Sequence, residues 1–122
     1  MFGEYYGFCV GDCVDYYKIE EGVLYKDLLN EYPSNTNNHD FVAYNAGYSA
    51  SILDLGGEIP SNIYNEPETI GSPDSFDQGG YYIEINNGGN IARWKIDKSN
   101  MYVPTYLHAV CDSLENYLQV LD

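Results

Sequence analysis

Between Tyr81 and Ile96 the chain alternates apolar and polar residues on both sides of Asn86-Asn87-Gly88-Gly89-Asn90, and this stretch restricts the fold more than any other. A period of two is the signature of a half-buried strand, and Asn and Gly accept the positive φ that a tight hairpin turn demands. Tyr81, Ile83 and Ile85 share one face, and Trp94 and Ile96 complete it on the returning strand. The cover for that face comes from the last segment. Pro104 suits a first helical turn, and Leu107, Val110, Cys111, Leu114, Tyr117, Leu118 and Leu121 recur as one helical stripe.

The first half reads in the same terms. Glu4 to Asp27 is rich in Tyr, Phe, Val and Ile, with Gly7 and Gly11 interrupting any helical period, so it is β structure. Within it Cys13–Ile19 and Val23–Asp27 flank a Glu20-Glu21-Gly22 turn. Leu29 to Asp40 is an exposed loop. Asp40 then caps a predicted helix carrying Phe41, Tyr44, Tyr48, Ile52 and Leu55, stopped by Gly56-Gly57. After Pro60 a single turn carries Ile63 and Tyr64, and a long loop runs from Asn65 to Gly80. The expected fold is one α+β domain of 122 residues, a two-layer sandwich in ββαββα order. Its antiparallel sheet is built from two hairpins, with two helices on one face.

Charge narrows the function classes. Nineteen Asp and Glu face five Lys and Arg, for a net charge of −14. Such a surface repels phosphate backbones and anionic lipid and attracts a basic protein at an enhanced rate. Direct nucleic-acid binding is therefore not expected. No apolar run is long enough to span a bilayer, and the start has no basic, apolar signal pattern, which makes the cytoplasm the expected location; a mature exported domain would look the same.

The chemistry-bearing residues form no strong constellation. Cys9 and Cys13 with His39 or His108 offer a mixed sulfur and nitrogen set, but the pair falls in an expected strand rather than on a zinc-type turn. On a straight strand the two cysteines stand about 13 Å apart, and only a sharp kink at Gly11 joins them in a disulfide. His108 and Cys111 are three apart on the last helix, yet Cys111 belongs to its apolar stripe. Asp74 with Asp77 or Glu84 is one carboxylate pair among many, and the Asp74 to Asp77 loop lacks the ligand alternation of an EF-hand. Phosphate-binding, nucleophile-elbow and zincin motifs are missing from the sequence, so it calls for no cofactor or metal and no enzyme.

Fourteen tyrosines remain, with Tyr5-Tyr6, Tyr16-Tyr17 and Tyr81-Tyr82 as adjacent pairs. Neighbours on a strand point to opposite faces, so one ring of each pair is expected in the core and the other in solvent, as a rigid anchor among acids. The candidate partner-binding residues are Asp74, Phe76, Asp77, Tyr81 and Tyr82.

Gly71-Ser72-Pro73-Asp74-Ser75-Phe76-Asp77 leading into Tyr81–Ile85, the Gly-rich turn, and Val103-Pro104 opening the last helix together resemble the emfourin family of small metallopeptidase inhibitors. That resemblance implies a Gly71 to Gly80 loop inserted into an active-site cleft. Gly22 to Asp27 and Asp77 to Tyr82 also look like segments of small Bacteroidetes proteins, a likeness that brings no function with it. The expectation is a non-catalytic acidic protein that inhibits or neutralises a protein partner with a basic or cationic site, in the manner of immunity proteins or peptidase inhibitors. The alternatives are a nucleic-acid mimic directed at a defence protein and a small metal- or thiol-dependent enzyme.

Overall fold

The computed structural model describes all residues except Phe8, Asp12, 35–37, Phe76, Asp77 and Asp122. Its strands are β1 (Phe2–Tyr5), β2 (Val14–Glu20), β3 (Val23–Asp27), β4 (Phe41–Ala43), β5 (Thr69–Ile70), β6 (Gly80–Asn87) and β7 (Asn90–Asp97). They form one mixed sheet in the order β4-β3-β2-β1-β6-β7-β5. The helices are α1 (Leu55–Glu58) and α2 (His108–Val120), with 3-10 turns at Ala50–Asp54, Ser61–Asn65, Asn100–Tyr102 and Thr105–Leu107.

Both sequence-expected hairpins form. Glu21 and Gly22 have φ of 52° and 75°, and Gly88 and Gly89 have 61° and 93°. Positive φ at both central positions is the turn whose twist matches that of the strands it joins. The α+β class holds, but the ββαββα sandwich of two hairpins does not. β1 stands between the hairpins, antiparallel to β2 on one side and to β6 on the other, and welds them into one seven-stranded sheet.

The helix expected from Asp40 is replaced by β4, which pairs antiparallel with β3. The buried Asp27 carboxylate takes the Asp40 N–H at 2.8 Å, and Leu28 N–H bonds the Asp40 carbonyl, so the chain enters along the sheet edge instead of turning into a helix. β-branched and aromatic residues at Phe41 and Val42 suit that edge. Helical turns begin only at Ser49, which caps Ser51, and Gly56-Gly57 lie inside α1 instead of ending it. The Asn65 to Gly80 loop also contains β5, which pairs in parallel with β7 at Lys95 and Ile96.

Two layers of cover press on the sheet. On one face Phe2, Tyr17, Leu24, Ile83, Trp94 and Ile96 meet Leu107, Val110, Leu114 and Leu118 of the C-terminal helical segment in one continuous core. On the other, Tyr5, Val14, Tyr16 and Tyr82 form a smaller cluster. The described residues of the segment between β3 and β4 pack on this second face without forming a helix. Asp27, fully buried at the end of β3, holds it through bonds from Leu29 N–H (3.1 Å), Asn30 N–H (3.3 Å) and His39 Nδ1 (2.8 Å). Arg93 Nη1 meets the Ser34 carbonyl at 3.4 Å on the far side of the sheet.

Candidate functional site

Strand polarity brings the segments after β1, β3, β5 and β7 to one end of the sheet, and three ties lock part of that end. Asp97, buried at the end of β7, accepts bonds from Ser72 N–H (2.9 Å), Ser99 N–H (2.8 Å) and Gln78 Nε2 (3.3 Å). Asp74 accepts from Gly7 N–H at 2.7 Å and Gly79 N–H at 2.9 Å, clamping the segment before β6 to the segment after β1. The third tie is a Cys9–Cys13 disulfide, which spans Cα atoms 5.8 Å apart. The straight-strand reading of these cysteines is thus corrected: Gly11 at φ 96° supplies the kink, and β2 begins only at Val14.

Beneath these ties lies a cleft of about 350 Å³ lined by Tyr6, Tyr81, Lys98, Asn100, Asp112 and Glu115. Lys98 is its centre. Its ammonium meets the Tyr6 hydroxyl at 2.5 Å and lies 3.5 Å from Glu4 and 3.9 Å from Glu115. It also stands 4.4 Å from the Tyr6 ring centroid and 4.9 Å from that of Tyr81, where ring quadrupoles favour a cation. Tyr81 donates to Glu115 Oε2 at 2.5 Å. That bond, with Lys98 beside it, outweighs burial and holds the Glu115 carboxyl below its usual range. Burial first, and then the Glu115 contact, push the Tyr81 phenol upward. Glu4 and Glu115 flank the one ammonium and Asp112 lines the same cleft, so carboxylates outnumber cations there.

Thiol chemistry fits poorly here. Cys111 borders the cleft but is buried, and burial followed by the Asp112 charge pushes its pKa up to about 11, so it is a protonated thiol at neutral pH. His108 turns to the backbone carbonyls of Asn100 and Val103. Among the described residues, no three His, Cys, Asp or Glu side chains converge as metal ligands.

The sequence-expected site residues scatter. Asp74 is a loop tie, while Phe76 and Asp77, and with them the Asp74–Asp77 carboxylate pair and calcium loop, lie outside the described residues. Tyr81 and Tyr82 are 5% and 3% exposed, one in each core cluster, and Tyr16 and Tyr17 are buried likewise. The expectation of one solvent-facing ring in those two pairs is therefore corrected, because both faces of the sheet are covered. Tyr81 reaches the Lys98 cleft only through its hydroxyl, and Tyr82 donates to Glu84 at 2.9 Å on the opposite face.

Exposed anchors lie elsewhere. Met101 and Tyr102, in the 3-10 turn that begins at Asn100 of the cleft, are 82% and 59% exposed. Tyr106, in the next 3-10 turn, donates to Glu66 at 2.6 Å. The sequence signal for this rim was present: Met101-Tyr102 precedes Pro104 outside the helical stripe, so nothing in that stripe calls for its burial.

No protein-family model matches the chain, and neither the curated proteins nor the solved structures compared with it contain a match.

Proposed function

We propose that this is a non-catalytic acidic binding protein that neutralises or inhibits a protein partner by docking the Lys98 end of its sheet on a basic site. The observation that carries the reading is where the charge sits. Of the described carboxylates only Asp27 and Asp97 are buried, and both are satisfied by internal donors. Meanwhile Lys18, Arg93 and Lys98 are paired with Glu20, Glu84, and Glu4 with Glu115. The acid excess therefore faces solvent, and beside the cleft it is joined by exposed aromatic and thioether side chains that suit a binding core. The ties at Asp74 and Asp97 favour the inhibitor form of the reading, since they hold Ser72, Asp74 and Gly79 in place before any partner arrives. The Cys9–Cys13 bond favours an oxidising surrounding over a reducing cytoplasm.

The test is capture from the source lysate at low salt, followed by kinetics on whatever is retained. A basic protein should be held, be released by salt and lose its activity when bound. Asp112→Asn with Glu115→Gln should slow association, whereas Met101→Ala with Tyr102→Ala should speed dissociation about tenfold or more. Retention that is indifferent to salt and to both double variants would refute the reading.

A further inference from the structure

The face opposite the Lys98 cleft carries a second cavity of unlike chemistry. Arg93 and Lys95 are two residues apart on β7, so their side chains leave the sheet on the same side. The register sets Glu84 opposite Arg93 and Tyr82 opposite Lys95. Pro33 and Ser34 of the crossing segment and Glu68 before β5 close the remaining walls around about 250 Å³. Two of the chain's five Lys and Arg thus line one small cavity on a protein of charge −14.

Their partners differ. Arg93 Nε stands 4.0 Å from Glu84, whose Oε1 also accepts the Tyr82 hydroxyl. The Lys95 backbone N–H bonds Glu68 O at 2.7 Å, but its half-buried ammonium has no hydrogen-bond or ion-pair partner among the described residues. In a chain with nineteen acids, a partly desolvated cation left without an acid is the opposite of what charge abundance produces.

We propose that this cavity binds a small oxyanion, a carboxylate or phosphate group, between the Lys95 ammonium and the Arg93 guanidinium, with Tyr82 in its wall. The ammonium supplies a point charge and the guanidinium, which also meets Glu84 and the Ser34 carbonyl, a second cation, the pairing that recognises such groups. The cavity is smaller than a drug-sized site of roughly 300 Å³ or more, so its occupant is a group of a few heavy atoms. Repulsion from distant acids is screened beyond about 8 Å at physiological ionic strength; within the site Glu84 is engaged by Arg93 and the Tyr82 hydroxyl, and Glu68 is the wall acid that an anion must outweigh. The site faces away from the Lys98 cleft and stands or falls apart from the reading above.

Amide chemical shifts of the full chain, followed during separate titrations with inorganic phosphate and succinate at constant ionic strength, test it. Saturable shifts at Ser34, Tyr82, Arg93 and Lys95 are expected, with Lys95→Gln weakening binding about tenfold or more. Arg93→Lys, which keeps the charge and loses the guanidinium, should weaken it about threefold, and Lys18→Gln should leave it unchanged. Saturation by phosphate alone or succinate alone assigns the oxyanion; saturation by both assigns the shared chemistry. Linear shifts with both anions up to about 50 mM, the weak-affinity limit at issue, or saturation unmoved by Lys95→Gln in a variant whose other shifts show it folded, would overturn the proposal. Should Lys95→Gln not fold, an unchanged affinity in Arg93→Lys would overturn it as well.

Discussion

The two faces of the sheet are covered by different physics. The helical face is closed by aliphatic side chains from α2 and the turns before it, so its stability is apolar area removed from water. The opposite face is closed by a segment whose described residues form neither helix nor strand, held by one buried carboxylate, an imidazole and aromatic edges such as Tyr16 on His39 and Tyr16 on Tyr82. The first kind of cover rests mainly on apolar contacts and can be read from periodicity. The second depends on hydrogen bonds between groups far apart in sequence and carries titratable atoms into its centre.

The largest expected effect tests the helical face. Leu114 is fully buried, and Leu114→Ala should cost about 3 kcal/mol in denaturant unfolding, with the same loss at pH 5 and pH 8. Next comes the knot on the other face. Asp27→Asn removes the charged acceptor of four donors and should cost about 2 kcal/mol. Hydrogen exchange should rise at Leu29, Asn30 and Asp40 while α2 stays protected; a uniform rise would erase the distinction between the faces.

Acid and alkali test both covers. Burial alone would raise the Asp27 pKa, but the bonds from His39, Asp40 and Leu29 outweigh it and hold the carboxyl below its ordinary 3.8. The stability this contributes is complete above that value and is lost as pH falls through the folded one. At the other extreme, burial and neighbouring acids push Tyr5 up to about 12 and move Tyr82 upward too. Their contribution is complete below the free-tyrosine value of 10.0 and is lost as pH rises toward the folded values. Each should tilt stability by about 1.4 kcal/mol per pH unit once the unfolded phenol ionises. Tyr81 on the helical face moves upward as well, so alkali should loosen both covers.

The smallest effects come from two neighbours on opposite faces. Tyr81→Phe and Tyr82→Phe each delete one hydroxyl bond to a glutamate and should cost about 1 kcal/mol or less. Tyr82→Phe should be the more costly, because the Glu84 side chain is 21% exposed against 41% for Glu115 and rehydrates less readily.

What was legible in the sequence follows the same division. Both tight hairpin turns and the stripe of α2 are local signals, and they form where the sequence placed them. β4, the two-residue β5 and the cover over Tyr16 and Tyr82 are set by distant partners: β4 by Asp27 and β3, β5 by the edge of β7. Counting every strand as one-sided left a ring of each tyrosine pair in solvent, and covering the second face reversed that for Tyr17 beside Tyr16 and Tyr82 beside Tyr81. The Lys98 cleft escaped notice because Glu4, Tyr81, Lys98 and Glu115 meet only when β1, β6, the end of β7 and α2 are assembled. The sequence offers Asp74 only as an acid in a loop, and its hydrogen bonds from Gly7 and Gly79 arise from partners 67 and 5 residues away.

β5 leaves one thing undone. It guards β7 only at Lys95 and Ile96, so among the described residues no strand lines the outer edge at Ile91, whose side chain is 52% exposed. An open strand edge is a template for another copy, and here mutual repulsion at −14 keeps copies apart. That protection is electrostatic and disappears near the isoelectric point of about 4.1, in the same acid range in which the Asp27 knot weakens. Colloidal behaviour and folding thus share one dependence on acid: a preparation taken through pH 4 should gain fibrillar or amorphous aggregates joined edge to edge, and one kept at neutral pH should stay dispersed.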